Sequence, residues 1–218
     1  MEVINLGAGN SILNAYIAQM RDKTIQKNRM LFRTNLKKVG AIFGYEISKR
    51  LSYSVKQVET PLGIAEVGTP DDKIVLGTIF RAGLPLYEGL MEVFTEADSA
   101  YLAAFREYDT SGTKLHINAG YCATPPLDGK VLIFADTMLA TGSSLMVGVN
   151  AVIEKAGRPK HINLVCPIAS ARAVENLQGK LGDDFTLWVA TIDPILNDNL
   201  YIVPGLGDAG DLAFGPKL

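Results

Sequence analysis

Two histidines and two cysteines in 218 residues leave little material for a metal cluster or a disulfide framework. Cys122 and Cys166 lie far apart, with Cys166 inside an apolar run, so reduced thiols and a cytoplasmic location are expected. His116 and His161 have no partner ligands near them in the chain, which points both away from metal binding. No apolar run reaches the ~18 residues that cross a bilayer, and no charged leader precedes an apolar segment, so no membrane association is expected. Charge of one sign is scarce as well. A net charge of −2 gives no global basic field for nucleic acid. A GxxxxGK[ST] loop is missing too, which argues against a Walker-type NTPase or kinase.

What the chain has is apolar content, 48% of its residues, arranged in alternating strands and helices. Ile12, Leu13, Tyr16, Ile17 and Met20 repeat at a helical period within residues 11–22, and a second helix is expected from an N-cap at Thr24 to about Leu51. Residues 55–67, broken by Pro61 and Gly63, read as a hairpin or loop pair. Strands are expected at 74–80, 100–105, 131–135, 162–168 and 186–190, with helices at 84–94, 143–156 and 171–181 between them. That alternation predicts one α/β domain with a parallel sheet flanked by helices, and binding sites at the carboxyl ends of the strands. Trp188 falls in an apolar strand and reads as core, while Lys37 and Lys38 read as a solvated helix face.

Three strand ends carry candidate chemistry. Val131 to Ala135 is a short apolar run of the kind a doubly covered parallel strand needs, and Asp136 ends it. Thr137, Met138, Leu139, Ala140, Thr141, Gly142, Ser143 and Ser144 then lead into a helix, so backbone N–H groups can converge on one anion. A carboxylate at Asp136 would repel that anion but could accept hydrogen bonds from the two hydroxyls of an attached ribose. The spacing points to a ribose 5-phosphate. The strand ending at Phe80 delivers Arg81, Ala82 and Gly83, an arginine fork followed by a tight turn. The strand ending at Phe105 delivers Arg106 and Glu107, then a long polar segment to Asp128 of the length that serves as a lid.

The tail matches G-x-G-x-x-G letter for letter from Gly205 to Gly210, yet Pro204 interrupts the preceding strand and too little chain follows for a second βαβ unit. Read together with LFRTNLKKVGAIFGYE (31–46), RAGLP with Gly89 soon after, DTMLATGSS (136–144), IDPILN (192–197) and YIVPGLGDAGD (201–211), the tail has another meaning. The chain resembles the uracil phosphoribosyltransferases, members of the type I phosphoribosyltransferase fold. The resemblance covers the chain from about Met20 onward, and the tail motif is the part specific to the uracil branch.

The resemblance implies a core of about residues 73–191, a hood from about 53–70 and 192–218, and a mobile lid at about 107–128. It implies transfer of ribose 5-phosphate from 5-phosphoribosyl 1-diphosphate to N1 of uracil with Mg²⁺, in a homodimer or larger homo-oligomer. Arg81 and Arg106 would hold the pyrophosphate, Asp136 to Ser144 the ribose and 5-phosphate, and Ile202, Gly207, Asp208 and Ala209 the uracil. Asp208 would also approach the phosphoribosyl donor, and no side chain is assigned to direct ligation of the metal. An RNA- or nucleotide-binding regulatory relative with weak or no turnover is the alternative. The chain departs from the family pattern at Thr137, usually proline, at Ser143, usually glycine, at Leu200 and Leu212, at 169–172, and across the lid.

Overall fold

A computed structural model describes residues 1–108 and 115–217, with the side chains of residues 104–119 outside the description. Ile12–Arg21 forms α1, capped by the Ser11 hydroxyl, and Arg29–Ser48 forms α2. The N-cap of α2 is Asn28, whose Oδ1 accepts from the Leu31 N–H at 3.0 Å, and not Thr24, which makes no cap bond. Asp22 takes the N–H groups of Thr24 and Ile25 instead and turns the chain before α2 begins. α2 also stops at Ser48 rather than Leu51.

In chain order the strands are β1 (Glu2–Asn5), β2 (Tyr53–Thr60), β3 (Gly63–Pro70), β4 (Ile74–Phe80), β5 (Asp98–Tyr108), β6 (Leu115–Ala123), β7 (Val131–Ala135), β8 (Met138–Leu139), β9 (His161–Val165), β10 (Ile168–Ser170), β11 (Phe185–Val189), β12 (Thr191–Asp193), β13 (Ile195–Leu196) and β14 (Ile202–Val203). Four further helices follow α2: α3 (Leu84–Val93), α4 (Ser143–Ala156), α5 (Ala171–Gln178) and α6 (Ala209–Phe214). The main sheet runs β1-β11-β9-β7-β4-β5-β6, parallel except for β6. β2 and β3 form a separate antiparallel hairpin, exposed almost throughout.

Side chains alternate across the sheet as a period of two requires. Leu76, Ile133, Val165 and Trp188 face α1, α2 and α3, where Leu13, Phe32, Leu36, Phe43 and Leu86 meet them. Val75, Leu132, Phe134, Leu164 and Leu187 face α4 and α5, against Leu145, Val149, Val152 and Leu177. Trp188 is 2% exposed, and its Nε1 donates to Asn163 Oδ1 at 2.8 Å. Cover on both faces is why β7 is apolar at every position.

Two expectations are corrected here, and one strand is added. The segment from Glu107 to Asp128 is not wholly irregular: β6 returns along β5 in antiparallel register, Tyr101 opposite Ala123 and Tyr108 opposite Leu115. Residues 109–114, between these strands, lie outside the described residues, as do the side chains of Arg106, Glu107 and His116. The strand at 162–168 is two strands, β9 and β10, separated at Pro167, whose carbonyl accepts from the Ala190 and Thr191 N–H groups. The sequence reading also left out β1, which pairs parallel with β11 from Glu2–Thr186 to Asn5–Val189.

Candidate functional site

The carboxyl ends of β4 and β7 lie side by side, with Thr78 opposite Ala135, so the chains leaving both strands emerge together. The buried Thr78 hydroxyl donates to the Ala135 carbonyl at 3.1 Å and ties the two ends. The Phe80–Arg81 peptide is cis. Gly83 follows at the start of α3, where a β-carbon would overlap the Thr78 hydroxyl and crowd the Ala135 carbonyl, so only glycine lets this turn approach β7. Beneath the turn, Phe80 stacks on Tyr101 with ring centroids 5.5 Å apart, and the Tyr87 hydroxyl bonds Ser99 Oγ at 2.5 Å and the Tyr101 hydroxyl at 2.9 Å. Burial pushes the Tyr87 phenol up to about 12, so it stays protonated as part of this support.

The loop after β7 is held from below. The Asp136 N–H donates to Val165, and the Thr137 N–H donates to Asp136 Oδ1 at 2.7 Å. Burial pushes the Asp136 carboxyl up to about 6, with the Thr137 N–H acting in the opposite direction. Thr137 is buried, and Met138 and Leu139 form β8, which pairs parallel with Ile168 and Ala169 of β10. Ser170 Oγ donates to the Ala140 carbonyl at 2.6 Å. The loop ends at Gly142, in the left-handed region at φ 82°, which supplies no side-chain cap to α4. The Ser143 N–H donates to Thr141 Oγ1 at 3.4 Å, and the Ser144 and Leu145 N–H groups, which take no side-chain cap, remain for an anion. Thr141 Oγ1 donates to Ser143 Oγ at 3.2 Å, so the two hydroxyls flank the helix start.

The tail forms the third wall. β13 and β14 pair antiparallel around Asn197, whose Oδ1 accepts from Asn199 and Tyr201, and Leu200 sits there at φ 62° where glycine would be relaxed. Ile202 and Ala209 are buried, and Gly207, at φ 96°, faces open space. Asp208 caps α6 by accepting from the Asp211 N–H at 2.9 Å. Arg81 reaches across to this segment: Nη2 lies 3.1 Å from Asp211 Oδ1, and Nη1 donates to the Gly215 carbonyl at 3.3 Å. A β-carbon on Gly210 would lie within 4 Å of Asp208, Arg81 and Ala82 alike, which places the tail against the β4 turn.

The structure thus brings Arg81 and Ala82 against Asp208 and the tail, and sets Gly83 against the end of β7, from which the Asp136–Ser144 loop departs. Arg106 joins only through its backbone in β5, beyond the Phe80–Ala103 pairing. Among the described residues, no three His, Cys, Asp or Glu side chains gather as a metal site, and no helix is long and apolar enough to cross a membrane. Both cysteines are free, and burial raises the Cys166 thiol well above its usual range, with Asp136 nearby adding to the rise. Sequence reasoning gave no supporting role to Tyr87, which it read as part of a helix, or to Ser99 and Ser170, which lie just outside the elements it expected, yet their polar side chains support the loops. Two surface hollows of about 260 and 290 Å³ lie elsewhere and contain none of the expected site residues.

Known proteins are similar to this chain over most or all of its length. The family model for uracil phosphoribosyltransferase matches residues 8–216. A uracil phosphoribosyltransferase from Porphyromonas gingivalis is 49% identical over 219 residues, covering all of both chains. Another from Methanothermobacter thermautotrophicus is 40% identical over 84% of this chain and 83% of its own. A solved protein from Aquifex aeolicus superposes with a TM-score of 0.85 at 29% identity, covering 98% of each chain. With the tail, the acid-led loop and the arginine turn each in its place on this sheet, the chain belongs to the uracil phosphoribosyltransferase family.

Proposed function

We propose that this chain transfers the ribose 5-phosphate group of 5-phosphoribosyl 1-diphosphate to N1 of uracil, releasing pyrophosphate and forming UMP in pyrimidine salvage. The observation that carries this reading is the meeting of Arg81 with the tail: the arginine read as a pyrophosphate ligand lies in hydrogen-bond contact with the segment read as the base-binding loop. Thr137 to Ser144 take the 5-phosphate on backbone N–H groups and hydroxyls. Asp136 accepts from the ribose hydroxyls and stabilises positive charge developing at the anomeric carbon. Arg81 exchanges its exposed pairing with Asp211 for pyrophosphate at little cost, and Arg106 is assigned to the same group.

Uracil lies against Ile202, Gly207, Asp208 and Ala209. Its edge alternates acceptors with one donor, and the backbone of this loop can match it. Cytosine inverts two of those groups and would leave loop atoms unpaired, which costs roughly 1–3 kcal/mol for each buried atom. The donor set suits Mg²⁺ held through substrate oxygens and water, since no cluster of three His, Cys, Asp or Glu side chains among the described residues forms a cage for it. Bound in that way, Mg²⁺ would supply charge neutralisation to the departing pyrophosphate.

A homo-oligomer, at least a dimer, in the cytoplasm completes the reading. The β2–β3 hairpin supports it, because a lone two-stranded ribbon with Val55, Leu62 and Ile64 more than two-thirds exposed is marginal in water without a partner. The test of function is incubation with the donor, Mg²⁺ and uracil, cytosine, hypoxanthine or orotate in turn. UMP formed with uracil and no nucleotide with the other bases is the expected result. Product only with another base would sink the assignment.

A further inference from the structure

We propose that Asp193, locked to Arg21, is a positioning residue that sets the backbone of the base-binding loop; the identity of the base rests on the uracil reading above. Asp193 ends β12 and is 4% exposed, yet its nearest cation comes from the other end of the chain. Arg21, the last residue of α1, places Nη2 2.7 Å from Asp193 Oδ1 and 3.1 Å from Thr191 Oγ1. The other carboxylate oxygen, Oδ2, accepts from the buried Gly205 N–H at 2.9 Å.

One carboxylate therefore bridges a helix terminus and the loop that carries the base contacts. A second tie comes from the same N-terminal segment. With its amide nitrogen turned towards them, Gln26 donates to the carbonyls of Leu206 at 2.9 Å and Met20 at 3.0 Å. The N–H of Gly205 and the C=O of Leu206 are both claimed from outside the loop, directly before Gly207, Asp208 and Ala209. Without Arg21 the buried carboxylate would be left without its cation, and its hold on Gly205 would change with it. Neither Arg21 nor Asp193 is among the residues assigned to substrate. Their effect is confined to where Gly207 and Asp208 sit.

Two readouts on the full-length protein test this. In Asp193→Asn, KM for uracil should rise about tenfold while KM for 5-phosphoribosyl 1-diphosphate stays within twofold. Arg21→Gln should behave similarly, and the double variant should be no worse than Asp193→Asn alone, because the two residues act as one unit. Independently of substrate, amide exchange in residues 204–209 should quicken at least tenfold in Asp193→Asn, with β4 and β7 unchanged. Equal rises in both KM values, an unchanged uracil KM, or unchanged exchange in 204–209 would overturn the proposal. If Asp193→Asn does not fold, Arg21→Lys replaces it, with a smaller rise confined to uracil expected and no rise overturning it. Absence of UMP from the wild-type protein would count against the function, leaving the exchange result to judge the clamp.

Discussion

Asp136 shows how a single residue can be legible in kind and illegible in degree. Its position after an apolar run is what suggests a sugar ligand, the role proposed above, but the rise of its carboxyl to about 6 comes from burial that only the packed loop creates. The sign of the consequence is definite. Between the ordinary value of 3.8 and about 6 the folded protein holds a proton that the unfolded chain has released, so stability falls as pH rises through that window. Above it the cost has a ceiling of about 3 kcal/mol, lessened by the part of Asp136 that solvent still reaches. Asp136→Asn should therefore be more stable than the wild type at pH 8 by up to about 3 kcal/mol, and equal to it near pH 3. Its turnover should be lost. Urea unfolding at both pH values, beside a UMP assay, checks both halves; no stability gain at pH 8 would mean that the carboxylate is better solvated than its surroundings indicate. Asp193 and Arg21 were invisible as a pair for a different reason. They are 172 residues apart, and nothing local to either codes for the other.

At the scale of elements, apolar periodicity located β4, β7 and α4 to the residue, because each lies wholly in one layer of the fold. It failed where the chain changes layers. β8, β10 and β12 are two or three residues long and carry no pattern of their own, although together they hold the ends of the loops after β7, β9 and β11. β6 falls inside the 107–128 segment that reads as a lid from its length, with Gly112, Gly120, Pro125 and Pro126 masking the strand, and an edge strand pairs on one side only. Ser170 is the place to test the short strands. Its buried hydroxyl both donates to Ala140 in the phosphate loop and accepts from the Ala173 N–H at the start of α5. Ser170→Ala should lower stability by about 2 kcal/mol through the lost cap and the abandoned carbonyl. It should also raise KM for 5-phosphoribosyl 1-diphosphate severalfold more than KM for uracil. Equal KM shifts would separate Ser170 from the phosphate loop.

For the whole molecule, the α/β class followed from alternation alone, while quaternary structure did not. The β2–β3 segment reads as a hairpin or loop pair in sequence, and only its projection shows Tyr53, Val55 and Ile64 on one face with Leu62 at the tip, all solvent-facing. Light scattering should give a mass at least twice the 23.5 kDa of one chain. Ile64→Asp should shift that equilibrium towards monomer by placing a charge where apolar contact is needed. A monomeric wild type at micromolar concentration would refute the assignment of this face.

The three-stranded sheet β12-β10-β8 sets a scale for the cleft. It begins beside the phosphate loop at β8 and ends at Asp193, which holds the base loop, and adjacent strands are about 4.8 Å apart. Two such steps, roughly 10 Å, make a ruler between the anchorage of the phosphate and the anchorage of the base. The ruler is made of main-chain hydrogen bonds, which side-chain substitutions do not lengthen. A change of accepted base from one ring to two would therefore have to come from redrawing the tail beyond Asp193, because the gauge behind it does not stretch.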